Sequence, residues 1–168
     1  RFGRLNNCWN GRPSAAMKSQ RVTSVVSSDG VHWSGLPGQE SPASDFAIEF
    51  ALELRSQTTH FAHIVPYGNG LLQRKLDTLR SHPSVRIYQM GATAEGRPLE
   101  MVEIGSADAA DRVFLRARAH PWETGGSWLL DGLMTFLTSE EAHACAILEK
   151  VCFCLMPMSN KDGVCRGM

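Results

Sequence analysis

The chain has 168 residues, enough for one ordinary domain or for a small domain beside part of a larger one. Its 17 basic and 17 acidic residues cancel without forming a basic block, which argues against a nucleic-acid partner. A 43% hydrophobic, 20% charged composition is that of a soluble globular protein, and no apolar run approaches the ~20 residues of a membrane span.

Residues 1–45 are rich in Gly, Ser, Asn and Pro. Strand candidates lie at Arg21–Val26 and around Val31–Trp33, joined by Ser27-Ser28-Asp29-Gly30, whose Asp-Gly pair readily supplies positive φ. Residues 35–42 read as a loop. Phe46–Leu54 alternates in part and Thr59–Val65 is a further β candidate, so residues 1–65 are expected to form a small antiparallel β domain.

Leu72, Leu76 and Leu79 then fall at helical spacing opposite Gln73, Arg74, Lys75 and Asp77, which predicts an amphipathic helix stopped by His82-Pro83. Val85–Met90 and Leu99–Ile104 bracket Gly91–Gly96 and predict two strands with a tight connection. Arg112–Ala119 is the next strand. Arg116 and Arg118 share one of its faces and are expected to pair with acids, because unpaired buried charge is costly. Ser127–Leu137 is apolar nearly all round and predicts a helix covered on several sides, its Leu and Met residues in the core. Ser139-Glu140-Glu141 reads as the N-cap and acidic first turn of another helix, ending near Leu148. Val151–Met156, continuously apolar, predicts a strand buried on both faces. Residues 66–168 therefore read as the first part of a mixed-sheet α/β domain, and the whole chain as α/β.

Five cysteines, Cys8, Cys145, Cys152, Cys154 and Cys165, lack the even count and regular spacing of a disulfide framework. Cys152 and Cys154 share a face of their strand and read as thiols in a reducing compartment. The chain opens at Arg1 and closes at Met168 just after a turn-like segment, so both ends are expected to be cut and a removed leader is compatible.

The chemistry concentrates in His120-Pro121-Trp122-Glu123, where a strand hands over to a helix. Ligands of open α/β sheets collect outside the carboxyl ends of strands. Zinc accepts imidazole nitrogen and carboxylate oxygen, and a catalytic site keeps one position open for water. Glu123 would also stand near the positive end of the following helix, which favours its ionised form. Gly125 and Gly126 would admit close backbone approach. Taken alone, the His-x-x-Glu spacing also suits a first-turn helix residue beside an ordinary loop histidine. His60 and His63 would point to opposite faces of a strand, which favours non-metal roles. His143 reads as a surface residue. Trp122 and Trp128 suit packing against the helix better than lining a pocket.

Gly91–Gly105, Ala117–Ser127 and Met158–Val164 resemble, in order and spacing, the opening of the M14 zinc carboxypeptidase catalytic domain. His-Pro-x-Glu is more similar to the cytosolic carboxypeptidase-like branch than to the pancreatic one. Pro66-Tyr67, followed by the Leu72 helix behind a small β domain, is similar to that branch too. The resemblance covers residues 60–168, with looser support from 20–59. It implies that His120 and Glu123 are two of three ligands of one zinc ion. The third ligand, a histidine, the general-base glutamate and the Asn-Arg pair that holds the substrate carboxylate would all lie past Met168, so no catalytic residue is expected in this chain. Asn160-Lys161-Asp162-Gly163 matches the family's Asn-Pro-Asp-Gly turn with lysine in place of proline. Arg166 lies near a family arginine that polarises the scissile carbonyl and is a minor candidate for it. Pro121-Trp122 stands where some members carry a substrate-contacting arginine.

The resemblance implies a cytoplasmic metallocarboxypeptidase acting on peptide or protein C-termini, with no nucleic-acid or membrane partner. This stretch alone would be inactive. The competing expectation is a non-catalytic truncated product or pseudoenzyme whose β domain binds a partner protein.

Overall fold

The computed structural model describes residues 8–9, 12–13, 23–37, 39–40 and 48–167. The chain divides into two compact units, Arg1–Pro66 and Tyr67–Met168.

In the first unit the short strands β1 (Cys8–Trp9) and β2 (Arg12–Pro13) pair with each other. Strands β3 (Thr23–Ser27) and β4 (Ser34–Pro37) form an antiparallel hairpin. Two further short strands, β5 (Gln39–Glu40) and β6 (Ile48–Glu49), also pair. Strand β7 (His60–Ala62) adds to the free side of β3, giving the antiparallel order β4-β3-β7. The turn between β3 and β4 follows its chemistry: the Asp29 carboxylate accepts the backbone N–H of Val31 and of His32, both at 2.8 Å, and Gly30 takes φ 73°. That wider turn consumes Val31 and His32, so the strand expected around Val31–Trp33 begins only at Ser34. The alternation expected over Phe46–Leu54 gives a strand only at Ile48–Glu49 among the described residues. Residues 51–55 are all exposed, so their apolar positions meet no core among the described residues. Arg21 and Val22 lie outside the described residues.

The second unit begins with α1 (Asn69–Leu79), whose buried residues are Leu72, Leu76 and Leu79. Strands β8 (Val85–Ala92) and β9 (Pro98–Ile104) form an antiparallel hairpin with a bulge between Gln89 and Gly91. Next come β10 (Asp111–Arg116), α2 (Thr124–Leu137), α3 (Ala142–Leu148), β11 (Val151–Met156) and α4 (Lys161–Arg166). The sheet order is β10-β11-β9-β8; β11 runs parallel to β10 and antiparallel to β9. This is the mixed sheet of an α/β fold. Register puts Val102 beside Leu155 and Ile104 beside Phe153 on one face. Leu72, Leu76 and Leu79 of α1 join Leu130, Met134 and Leu137 of α2 in one buried cluster with Val85, Val102, Ile104 and Leu155. Burying a side chain of this size contributes about 1.5–3 kcal/mol, so this cluster is the main source of stability in the unit.

Three expectations change here. The second helix starts at Thr124, three residues early, and is covered on one side only. Thr124, Ser127, Leu130, Met134 and Leu137 are buried, while Leu129 is 65% exposed. The sheet touches a single stripe, and the outer leucine is left to solvent. Ser139 does not cap the third helix: its hydroxyl donates to the Phe136 carbonyl at 2.7 Å and closes α2. Glu140 and Glu141 therefore precede α3 instead of filling its first turn. Finally, β10 stops at Arg116, because Arg118 adopts φ 59° and turns the chain.

Candidate metal centre

The parallel pair β10 and β11 delivers two chain segments to the same edge of the sheet, and hydrogen bonds continue between them after the strands end. Ala117 donates its N–H to the Met156 carbonyl at 3.0 Å. Ser159 and Asn160 donate theirs to the carbonyls of Ala117 and Arg118, both at 3.0 Å. The Asn160 side-chain amide reaches one residue further, to the Ala119 carbonyl at 3.2 Å. The backbone leading into His120 is therefore tied to the turn after β11.

Arg118 is the unusual member of this segment. A non-glycine residue at φ 59° costs of order 1–3 kcal/mol and persists only where its surroundings hold it. Its side chain is buried, 5% exposed, and donates Nη1–H to the Tyr67 carbonyl at 2.7 Å and Nε–H to the Pro121 carbonyl at 3.0 Å. A second N–H, from Nη2, also reaches Pro121. Burial draws the guanidinium pKa down from its ordinary value. The expected pairing of Arg116 and Arg118 with acids is thus replaced. The left-handed turn takes Arg118 out of strand alternation and onto carbonyls, and Arg116 is exposed.

Beyond that turn, His120 Nδ1 and Glu123 Oε1 stand 3.0 Å apart, with side chains 64% and 47% exposed. The Glu123 N–H donates to the His120 carbonyl at 3.2 Å, which folds the segment into a turn. Glu123 occupies the N-cap position of α2, yet its side chain makes no capping bond and turns to the imidazole instead. An anion at a helix N-terminus is favoured electrostatically. Gly126 does provide close approach, since a Cβ there would lie 3.2 Å from that of Ala117; beside Gly125 the space is open. Trp122 is 63% exposed, contrary to the expectation that it packs against the helix. Trp128 stacks edge-on against Tyr67 with ring centroids 5.0 Å apart. Burial, together with the hydrogen bond its hydroxyl donates to Asp131 at 2.8 Å, pushes the Tyr67 pKa upward and keeps it a donor.

The segment after β11 supports the corner from below. Asn160 caps α4 by accepting the Gly163 N–H at 3.0 Å. A Cβ on Gly163 would fall 2.6 Å from Pro121 Cγ, so only glycine lets α4 sit this close to the loop. Lys161 is buried, with its ammonium against the Glu100 carboxylate. Gln73 donates to the other oxygen of Glu100 at 2.8 Å. Sequence reasoning misses this pair, although a signal exists. Glu100 has the same strand parity as Val102 and Ile104, which sets a carboxylate on the apolar face and demands a cation. Asp162 accepts from the Thr93 hydroxyl at 2.7 Å and from Arg97 at 2.6 Å, docking the β8–β9 turn onto α4. Arg166 pairs with Glu95, on that same turn.

The other candidates have surroundings of their own. His60 lies edge-on to Trp33 at 6.5 Å, His63 is exposed beyond the end of β7, and His143 is exposed. Cys145, Cys152, Cys154 and Cys165 are free thiols. Among the described residues, no group of three or more His, Cys, Asp or Glu side chains converges in a metal-binding arrangement. His120 and Glu123 by themselves suit zinc in donor type: one imidazole nitrogen and one carboxylate oxygen, adjacent, accessible and uncommitted to a helix cap.

The chain is similar to proteins already known. Human cytosolic carboxypeptidase 6 is 32% identical over 129 residues, covering 72% of this chain and 26% of the relative. Human cytosolic carboxypeptidase 1 is 30% identical over 149 residues, or 77% of this chain and 12% of the relative. The chain thus spans about a quarter or less of the length of these relatives. A carboxypeptidase A-like crystal structure from Shewanella denitrificans superposes with TM-score 0.81 at 29% identity, covering 88% of this chain and 39% of that one. The Peptidase_M14 profile, described as zinc carboxypeptidase, matches residues 72–167, more than half of the chain. The chain belongs to the zinc carboxypeptidase family.

Proposed function

We propose that this chain contributes part of the active centre of a zinc metallocarboxypeptidase that removes residues from the C-termini of peptides or proteins. The observation that carries this reading is the convergence of His120 and Glu123 at the sheet edge, in a chain of this family. The two would hold one zinc ion. When bound, zinc supplies Lewis-acid polarisation of the scissile carbonyl and activation of water. The residues of this chain fix where that chemistry takes place. The strand-end hydrogen bonds of Ala117 and Arg118 hold the loop at the mouth of the sheet, and the α2 N-terminus favours the Glu123 carboxylate. The third ligand, the general base and the carboxylate clamp are contributed by other parts of a longer protein. In that protein, residues 1–65 form a β-rich domain and 66–168 the opening of the catalytic domain. The names of the cytosolic relatives support a cytoplasmic setting.

The test uses the intact protein, with zinc content and release of C-terminal residues from peptides as readouts. His120→Ala and Glu123→Ala are each expected to lose zinc and turnover by more than about 100-fold, beyond the usual loss from outer-shell partners. Near-normal values in both variants would end the ligand assignment. An intact wild-type protein that binds no zinc and releases nothing would favour the partner-binding alternative. The isolated 168-residue chain is expected to show no chelator-sensitive peptidase activity.

A further inference from the structure

Arg118 carries a buried charge that the metal chemistry does not use. Its guanidinium donates from Nε and Nη2 to the Pro121 carbonyl, so the side chain closes a ring over Ala119 and His120. Its third contact, Nη1 to the Tyr67 carbonyl at 2.7 Å, anchors that ring to a residue 1% exposed. The backbone is fixed at the same points: the Arg118 carbonyl accepts from Asn160, and the Ala119 carbonyl accepts from the Asn160 side chain. Every peptide carbonyl from Arg118 to Pro121 is therefore held: Asn160 takes the first two, Glu123 takes that of His120, and Arg118 takes the last. A planar donor fork suits this task. It grips one carbonyl with two N–H groups and a second with another, without needing a carboxylate.

We propose that Arg118 is a positioning residue, setting the His120–Glu123 turn in its metal-ready shape before any ion arrives. The inference rests on His120 and Glu123 being the ligands. The Arg118 fork is spent on the Pro121 and Tyr67 carbonyls, and its positive charge would by itself repel a cation, so its contribution is geometric. A loop held in this way spares the ion the task of ordering both donors.

Zinc affinity of the intact protein is measured by competition with a chromogenic chelator, together with the visible spectrum of the cobalt-substituted protein and unfolding of the metal-free form. Arg118→Gly keeps the left-handed backbone accessible and removes the fork. Arg118→Lys keeps the charge and removes the two-pronged grip. The glycine variant should bind zinc about 10–100-fold more weakly, in the range for outer-shell partners. The lysine variant should fall between it and wild type, and both cobalt spectra should change. A purely structural role would lower the unfolding midpoint and leave the affinity and spectrum of the folded protein alone. Affinity within twofold of wild type and an unchanged cobalt spectrum in both variants would overturn the inference. Where Arg118→Gly does not fold, Arg118→Lys decides on the same criteria. If His120→Ala keeps wild-type zinc affinity, the ligand reading and this inference fall together. If it loses zinc while the Arg118 variants bind normally, only the inference falls.

Discussion

The two ends of α2 are held in different ways. At its C-terminal end Leu130, Met134 and Leu137 are at most 3% exposed and surrounded by aliphatic groups of the sheet and α1. At its N-terminal end the Ser127 hydroxyl donates to the Pro157 carbonyl at 2.9 Å, and the turn before it is a lattice of hydrogen bonds to carbonyls. Apolar burial is non-directional, so the first end depends on volume. Hydrogen bonds require direction, so the second depends on geometry. Stability and site shape are therefore separable along a single helix.

The largest effect is expected where the two modes meet. Lys161→Ala leaves the Glu100 carboxylate buried without its cation and should destabilise by about 3–5 kcal/mol in urea unfolding. The double change Lys161→Met with Glu100→Leu should recover much of that loss. A single variant within about 1 kcal/mol of wild type, the scale of an exposed pair, would show that the pair is not buried in solution. Met134→Ala comes next. It removes volume from a fully buried position and should cost about 2–5 kcal/mol, with zinc affinity of the folded protein unchanged. A loss of affinity there would break the separation between the two ends. Gly163→Ala should do the reverse. Its methyl group would push on Pro121, costing about 1–3 kcal/mol and, unlike Met134→Ala, weakening zinc binding.

The smallest effect is a pH effect on the far side of the sheet. Arg86, aided by Tyr88 and Arg112 and opposed by partial burial, holds the Glu103 carboxyl below the usual glutamate range. A depressed folded-state pKa stabilises the protein above the unfolded value of about 4.3, and that stabilisation is lost as pH falls through the lower folded value. Glu103→Gln should therefore be less stable than wild type at neutral pH, by no more than about 1 kcal/mol for partners this exposed. The gap should close as pH drops below about 4. A gap that widened in acid would reverse the sign of the interaction.

The same contrast explains which features are legible in the sequence. Leu72, Leu76 and Leu79 repeat with the helix period, and Val151–Met156 is apolar throughout, so periodicity alone reveals the α/β fold. His120 and Glu123 stand out because a strand-to-helix corner brings residues three apart together, and the structure places them 3.0 Å from each other. The supports of that corner are hidden for a physical reason. Strand alternation misplaces Arg118, and nothing in Ala117-Arg118-Ala119 announces a left-handed arginine, a conformation usually left to glycine. Lys161 stands out only as a missing proline, because its partner Glu100 lies 61 residues away and meets it through tertiary packing. Local pattern reveals elements and neighbours in the chain; it does not reveal which carbonyl a distant side chain will find.

The parallel pairing of β10 with β11 also sets an order of events during folding. The β8–β9 hairpin is local and can form in about 1–10 μs. The parallel pair must first close a crossover containing both α2 and α3, a non-local step that meets its loop-closure entropy before any contact offsets it. A nascent chain that has emerged only as far as α3 already displays both donor residues and has no strand to align them. The cell therefore meets His120 and Glu123, the proposed ligands, first on a floppy tether, and the docking of β11 then holds them at one corner.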